Sequence, residues 1–226
     1  MSARDFHKRA ERAREHGSFI ESLNFCELAF EIYSREKNSL GMSEVCASMF
    51  LSLRHLSEKY DDISYLLRAE YIAQVGYEIA KNSGNRESLS IPAFSLAEAH
   101  YSIDKYKTAV KLYKEAIKTL PDSPHNSALY MLNMVYRFEI AKFRDGDKKA
   151  LDRACKALLE MENINDKSYE KDVWLSGGYM RLGESIYRSD KKKAREYLAK
   201  AKEIIDSNPE LTIRKNQLVR LQEKLS

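Results

Sequence analysis

The placement of helix breakers constrains this chain most. It has four prolines and eight glycines in 226 residues. Pro92, Pro121, Pro124 and Pro209 all stand at the edges of apolar periodicity, where a missing N–H costs least. Between them, apolar and small residues recur three and four apart, as in Leu23, Cys26, Phe30 and Tyr33, or Ala109, Leu112, Tyr113, Ala116, Ile117 and Leu120. That period puts one stripe of each segment on a single helical face. Strand-like alternation is almost absent, so the pattern predicts an all-α protein.

Start and stop signals predict helices over roughly 3–16, 19–36, 39–57, 61–82, 87–104, 106–120, 124–144, 147–163, 168–188, 190–206 and 210–225. The turns His16-Gly17-Ser18, Asp104-Lys105 and Asp145-Gly146-Asp147 are short and polar, which makes their flanking helices antiparallel neighbours. Five hairpins result, followed by one last helix. A composition of 43% hydrophobic and 32% charged residues suits a chain with a buried core and a solvated surface. Stacked pairs need no single central core, so one continuous domain over residues 1–226 is expected. In the last helix Leu211, Ile213, Leu218, Leu221 and Leu225 fall on one side, as in a cap over the exposed end of a stack.

The span from Ser90 to Pro121 carries a helix-pair pattern of repeat length: Leu96-Ala97, His100, Tyr106, Ala109, Tyr113, Ala116 and a closing Pro121. Here the chain resembles the tetratricopeptide repeat family, with Leu96-Ala97 where the family has Leu-Gly and His100 in place of its usual Tyr. Ala10, Ala13, Gly17, Phe19, Ser22 and Ala29 repeat the pattern. Ala141, Ala150, Ala154 and Ala157, and then Leu182-Gly183, Ala194 and Ala201, give degenerate versions of it. The stretch 39–82 departs most, with Ala69, Ala73 and Ala80 in a helix longer than the family norm. The resemblance implies a right-handed α-solenoid of about five pairs, at 3–36, 39–82, 87–121, 124–163 and 168–206, with a cap at 210–225. Its irregular spacing is similar to the longer repeats of regulatory peptide-binding members. The co-chaperones of this family grip a chaperone's carboxylate with Lys and Asn on the first helix, but His7 and Glu11 stand there, and a glutamate would repel that ligand.

Other chemistry finds little support. The net charge of +4 comes from 38 basic and 34 acidic residues interspersed along the chain, which does not demand nucleic acid. Cys26, Cys46 and Cys155 are odd in number and far apart, as expected of reduced core thiols. The charged start and the lack of a long apolar run predict a cytoplasmic protein with no membrane partner. No phosphate-cradling glycine loop is present, and the five histidines never take the spacing of a helical zinc site. The expectation is therefore a non-enzyme without cofactor or metal.

What the resemblance offers is a binding face, because the first helices of such pairs line the concave side. Asn126, Tyr130, Asn133, Arg137 and Arg144 recur at three or four residues within 124–144. Such a stripe could hold an extended peptide, the amides pairing with its backbone and the guanidinium with a carboxylate. It reads equally as a solvated face. Candidate neighbours are Arg54 and His55, then Glu98 and Tyr101, then Trp174, Arg181 and Arg188. Trp174 is either an interface anchor or packing between the fourth and fifth pairs. Gly177-Gly178 inside a helix costs about 1 kcal/mol each against alanine, which close helix packing or a ligand near the backbone would explain. Lys191-Lys192-Lys193 solvates a turn. The expectation is a scaffold or adaptor for a protein or peptide with acidic groups, with homo-oligomerisation left open. The alternatives are a ligand-responsive regulator whose superhelix changes shape, or a structural subunit of a larger assembly.

Overall fold

The computed structural model describes residues 1–225 and is helical throughout, with no strand among them. Eleven α-helices follow in order among those residues: α1 Ala3–Glu15, α2 Phe19–Arg35, α3 Ser39–Tyr60, α4 Ile63–Asn82, α5 Ser90–Ser102, α6 Tyr106–Thr119, α7 Ala128–Arg144, α8 Ala150–Asn163, α9 Tyr169–Ile186, α10 Lys191–Ser207 and α11 Thr212–Leu225. One-turn 3-10 segments, Arg86–Ser88 and Leu120–Asp122, sit in the connections. They fall into two compact units, Met1–Asn126 with α1 to α6 and Ser127–Ser226 with α7 to α11.

Local chemistry sets the helix starts. Ser2 and Asp5 form a reciprocal capping box: the Ser2 hydroxyl accepts from the Asp5 N–H at 3.2 Å, and the Asp5 carboxylate accepts from the Ser2 N–H at 2.9 Å. Asn38, Asp62, Ser127, Ser168 and Asp190 cap α3, α4, α7, α9 and α10 with side-chain oxygens. Ser127 also explains why α7 begins at Ala128 and not near 124. It is extended (φ −152°, ψ 160°) and accepts from the Tyr130 N–H at 3.2 Å, so Pro124, His125 and Asn126 precede the cap. At its other end α3 runs three residues beyond 57, until Asp61 turns into the left-handed region at φ 52°.

In the first unit α3 packs on both α1 and α5, and α2, α4 and α6 pack from outside against this row. Between the layers lie small residues that let backbones approach: Ala10, Cys26, Ala29, Ala69, Ala73, Ala93, Ala97, Ala109 and Ala116 are all buried. Tyr33, Phe50, Leu96, Tyr113 and Leu120 fill the gaps. Burying each of these large side chains stabilises by about 1.5–3 kcal/mol. Cys26 and Cys46 belong to this core, and burial pushes both thiols up to about 12, leaving them protonated and unreactive.

In the second unit Leu158, Met161, Leu175, Tyr179, Leu182, Leu198 and Ile205 pack around Ala150, Ala154, Ala194 and Ala201. The Tyr136 hydroxyl donates to the Gly178 carbonyl at 2.8 Å, tying α7 to α9. The last helix, α11, lies on α9 and α10 and buries Leu218 there.

In the first unit α4 comes close against α3. A Cβ at Gly76 would lie 2.7 Å from the Cys46 Cβ and 3.3 Å from the Ser43 carbonyl, and neither can swing away. Overpacking of this kind costs about 1–3 kcal/mol, against about 1 kcal/mol of helix propensity gained. Gly76→Ala is therefore expected to lower the urea midpoint without changing the slope of the transition, whereas an unchanged or raised midpoint would mean that α3 and α4 can separate freely.

Candidate functional site

The first-helix face of the first unit is occupied by its own charges. Arg54 of α3 reaches the Glu98 carboxylate of α5 at 3.5 Å and that of Glu58 at 3.7 Å. Glu98 is 2% exposed and also accepts from the Tyr113 hydroxyl. His55 is buried, stacked on Phe19 at 5.2 Å and 3.2 Å from Glu58. Tyr101 meets Tyr106 edge to face at 5.3 Å. Asn126 is exposed and outside any helix. The structure thus joins Arg54 and Glu98 directly and sets Asn126 apart from the α7 stripe.

Farther along this face Glu44 of α3 accepts from or pairs with His125 at 2.7 Å and lies 4.0 Å from Arg4. His7 of α1 shares a hydrogen bond with the Ser48 hydroxyl at 2.8 Å and sits 3.9 Å from Glu11. Burial holds His7 below its ordinary value of 6.5, an effect that the Glu11 and Glu44 carboxylates only partly offset. Burial lowers His100 likewise, against Glu70. A histidine with a lowered native pKa leaves stability intact above about pH 6.5, where it is neutral folded or unfolded. Below that the unfolded chain takes up the proton first, and stability falls until the native pKa is passed. Unfolding free energy should therefore drop as the pH falls below about 6.5, by up to about 1.4 kcal/mol per pH unit for each such histidine. In His7→Gln that decline should become shallower, with His100 supplying the remainder. An unchanged slope in denaturant melts would show that His7 is not titrating from a buried neutral state.

The second unit carries a row of its own. On α9, Glu170, Trp174, Gly177 and Arg181 recur at three and four residues and share one face. On α7, Tyr130, Asn133 and Arg137 do the same. Tyr130 meets Trp174 edge to face at 4.6 Å. Asn133 and Arg137 are buried, and the Arg137 Nε–H donates to the Asn133 side-chain oxygen at 3.2 Å. With Tyr136 bonded to Gly178, Arg137 stands level with the Arg181 end of the α9 row and Tyr130 with its Trp174 end. Arg188 lies just beyond α9 and is exposed, as is Arg144 at the end of α7.

The two glycines have separate reasons. A Cβ at Gly178 would lie 2.6 Å from a Leu158 methyl, so this glycine serves the packing of α8 on α9. A Cβ at Gly177 would instead lie 3.0 Å from the guanidinium carbon of Arg214. That side chain comes from α11, donates to the Gln217 side-chain oxygen at 2.7 Å, and is seated on bare α9 backbone between Trp174 and Arg181. Arg214 is the residue that sequence reasoning missed. The signal was the costly Gly177, but its partner lies far along the chain.

This face therefore has an aromatic end, Tyr130 with Trp174, and a guanidinium end, Arg137, Arg181 and Arg214, contributed by three successive first-position helices. Planar guanidinium groups suit carboxylates and phosphates, and half-buried aromatic rings suit apolar side chains. Among the described residues no group of three His, Cys, Asp or Glu side chains is placed to hold a metal, and no helix is long and apolar enough to cross a membrane.

No family model matches the sequence, and no curated protein matches it. Solved structures do match. A putative kinesin light chain with nearly identical TPR-like repeats from Podosopora anserina superposes with a TM-score of 0.57 at 14% identity, over 90% of this chain and 94% of that one. BtubC (BKLC) from P. vanneervenii gives 0.57 at 18%, over 88% and 77%. A Rap protein complexed with competence and sporulation factor gives 0.60 at 17%, over 99% of this chain, which spans 64% of that protein. At such identities the likeness is one of fold, and it agrees with the pairs, the small-residue crossings and the terminal helix described above: the chain has the tetratricopeptide-like all-α helical repeat fold.

Proposed function

We propose that this protein is a non-catalytic binding module whose second unit holds an extended acidic segment of a partner protein across α7, α9 and α11. The observation that carries the reading is Arg214 lying on the unsubstituted backbone at Gly177, in line with Trp174 and Arg181. A residue that is unfavourable within a helix thereby makes room for a guanidinium on the same face as a second guanidinium and the lone tryptophan. Carboxylates of the partner would meet Arg181 and Arg214, with Arg137 adding positive potential from beneath, and an apolar side chain would rest against Trp174 and Tyr130. The structure of the Rap protein with a bound factor supports the repeat fold as a frame for such binding.

Trp174, being the only tryptophan, reports on the site directly. Synthetic peptides of equal length, each with one leucine amid either glutamates or lysines, should separate cleanly. The glutamate series should shift Trp174 fluorescence saturably and in a salt-sensitive way, and the lysine series should not. Arg181→Glu should weaken the glutamate peptides at least about tenfold, the scale of losing one charge-assisted pair and gaining a repulsion. Equal binding of both series would sink the acidic-segment reading.

Gly177→Ala tests the role of Arg214 apart from stability. The new methyl displaces only the end of a flexible side chain while raising helix propensity by about 1 kcal/mol. The variant should melt no lower than the wild type yet bind the glutamate peptides more weakly. Unaltered binding would remove Arg214 from the site.

A further inference from the structure

The outer surface of the first unit carries a second, unrelated pattern. Each of α2, α4 and α6 buries one face against the α1, α3 and α5 layer and turns the other to solvent, and the three run in the same direction because each follows an antiparallel first helix. On α4 the solvent side is apolar: Ile63, Leu67 and Tyr71 are 62%, 54% and 69% exposed at four-residue spacing. Tyr60, just before it, is exposed as well. On α6 the solvent side is a row of lysines, Lys107, Lys111, Lys114 and Lys118, all exposed and spaced so as to lie on one line. On α2 it is acidic, with Glu21, Glu27 and Glu31 exposed among Ile20 and Leu28; Arg35 pairs with Glu31 at the far end. The remaining charges of α4 are mixed, with Arg68, Glu70, Glu78 and Lys81 along it, and Glu70 already holds Lys105 at 2.8 Å. The Tyr77 hydroxyl donates to Glu115 at 2.9 Å, linking α4 to α6.

An acidic helix, an apolar helix and a basic helix in that order make a surface complementary to itself. We infer that this face is the contact of a two-fold homodimer, in which α4 of one copy lies along α4 of the other and each acidic α2 faces the lysine row of the partner copy's α6. Only a two-fold axis running parallel to the helices gives that pairing. An axis across them would set α2 on α2 and lysines on lysines, and repulsion excludes it. The apolar stripe supplies attraction and the flanking charges supply register. Neither a lipid surface nor a nucleic acid would use the acidic row beside the apolar one, whereas a second copy uses all three. A contact centred on a single helix belongs to the small class of interfaces, so association in the micromolar range is expected.

Sedimentation of the full chain over a concentration series tests this. The wild type should pass from monomer to dimer at low salt and revert toward monomer as salt screens the flanks. Leu67→Asp should be monomeric throughout. The deciding variants are Lys111→Glu with Lys114→Glu, and separately Glu27→Lys with Glu31→Lys. Each should dissociate at least about tenfold more readily on its own, and an equimolar mixture of the two should dimerise again, because reversed α2 then meets reversed α6. All substitutions lie on exposed positions, and should Leu67→Asp lose helix by circular dichroism, the charge-reversed mixture still decides. A wild type that stays monomeric overturns the inference, as does a dimer indifferent to both reversals. A monomer that co-sediments with phosphatidylserine-containing vesicles would also overturn it and assign the lysine row to a lipid surface.

Discussion

Close approach of helix backbones is the constraint on which the rest of this protein depends. Each pair brings its helices together over alanine, glycine, serine or cysteine, and the large side chains occupy the space on either side of the crossing. The arrangement gives dense packing from short, mostly local contacts. It also fixes which side of each helix remains outside the core. Gly76 on Cys46 and Gly178 on Leu158 show how little clearance there is. In such a frame the exposed rows of neighbouring helices line up as a consequence of packing, and surfaces several helices wide come with the fold.

The two units use that consequence differently. In the first, the inner row is closed on itself: Arg54 is engaged by Glu58 and Glu98, His7 is buried on Ser48, and Glu44 holds His125. Charges paired in this way serve relative placement of α1, α3 and α5 more than attraction for a partner. In the second unit the row contains three guanidinium groups and two facing aromatic rings, with Arg214 brought in by the terminal helix. The same helix that covers the end of the stack therefore also contributes to the proposed binding face, which ties capping to recognition.

The lysine row of α6 and the apolar row of α4 suit the inferred dimer contact without any change in fold. Lysines that bury nothing can be spaced at will on the solvent side, while Ala109, Leu112, Tyr113 and Ala116 hold the helix in place from the other side. The two faces of one helix thus answer to separate demands.

By itself the sequence determined the helices and their pairing, because periodicity of 3.6, caps such as Ser2, Asp62 and Ser168, and polar turns act over a few residues. It placed the start of α7 too early, since the proline signal at Pro124 outweighed the cap at Ser127. It also marked Trp174, Arg181, Arg137 and the cost of Gly177-Gly178. Tertiary structure alone decided that Asn133 and Arg137 are buried on each other, that Arg54 is spent on Glu98, and that Gly177 exists beneath Arg214. Those outcomes depend on which side chains from distant helices arrive at the same place. Helical spacing states the face a residue occupies, and only packing states what else occupies it.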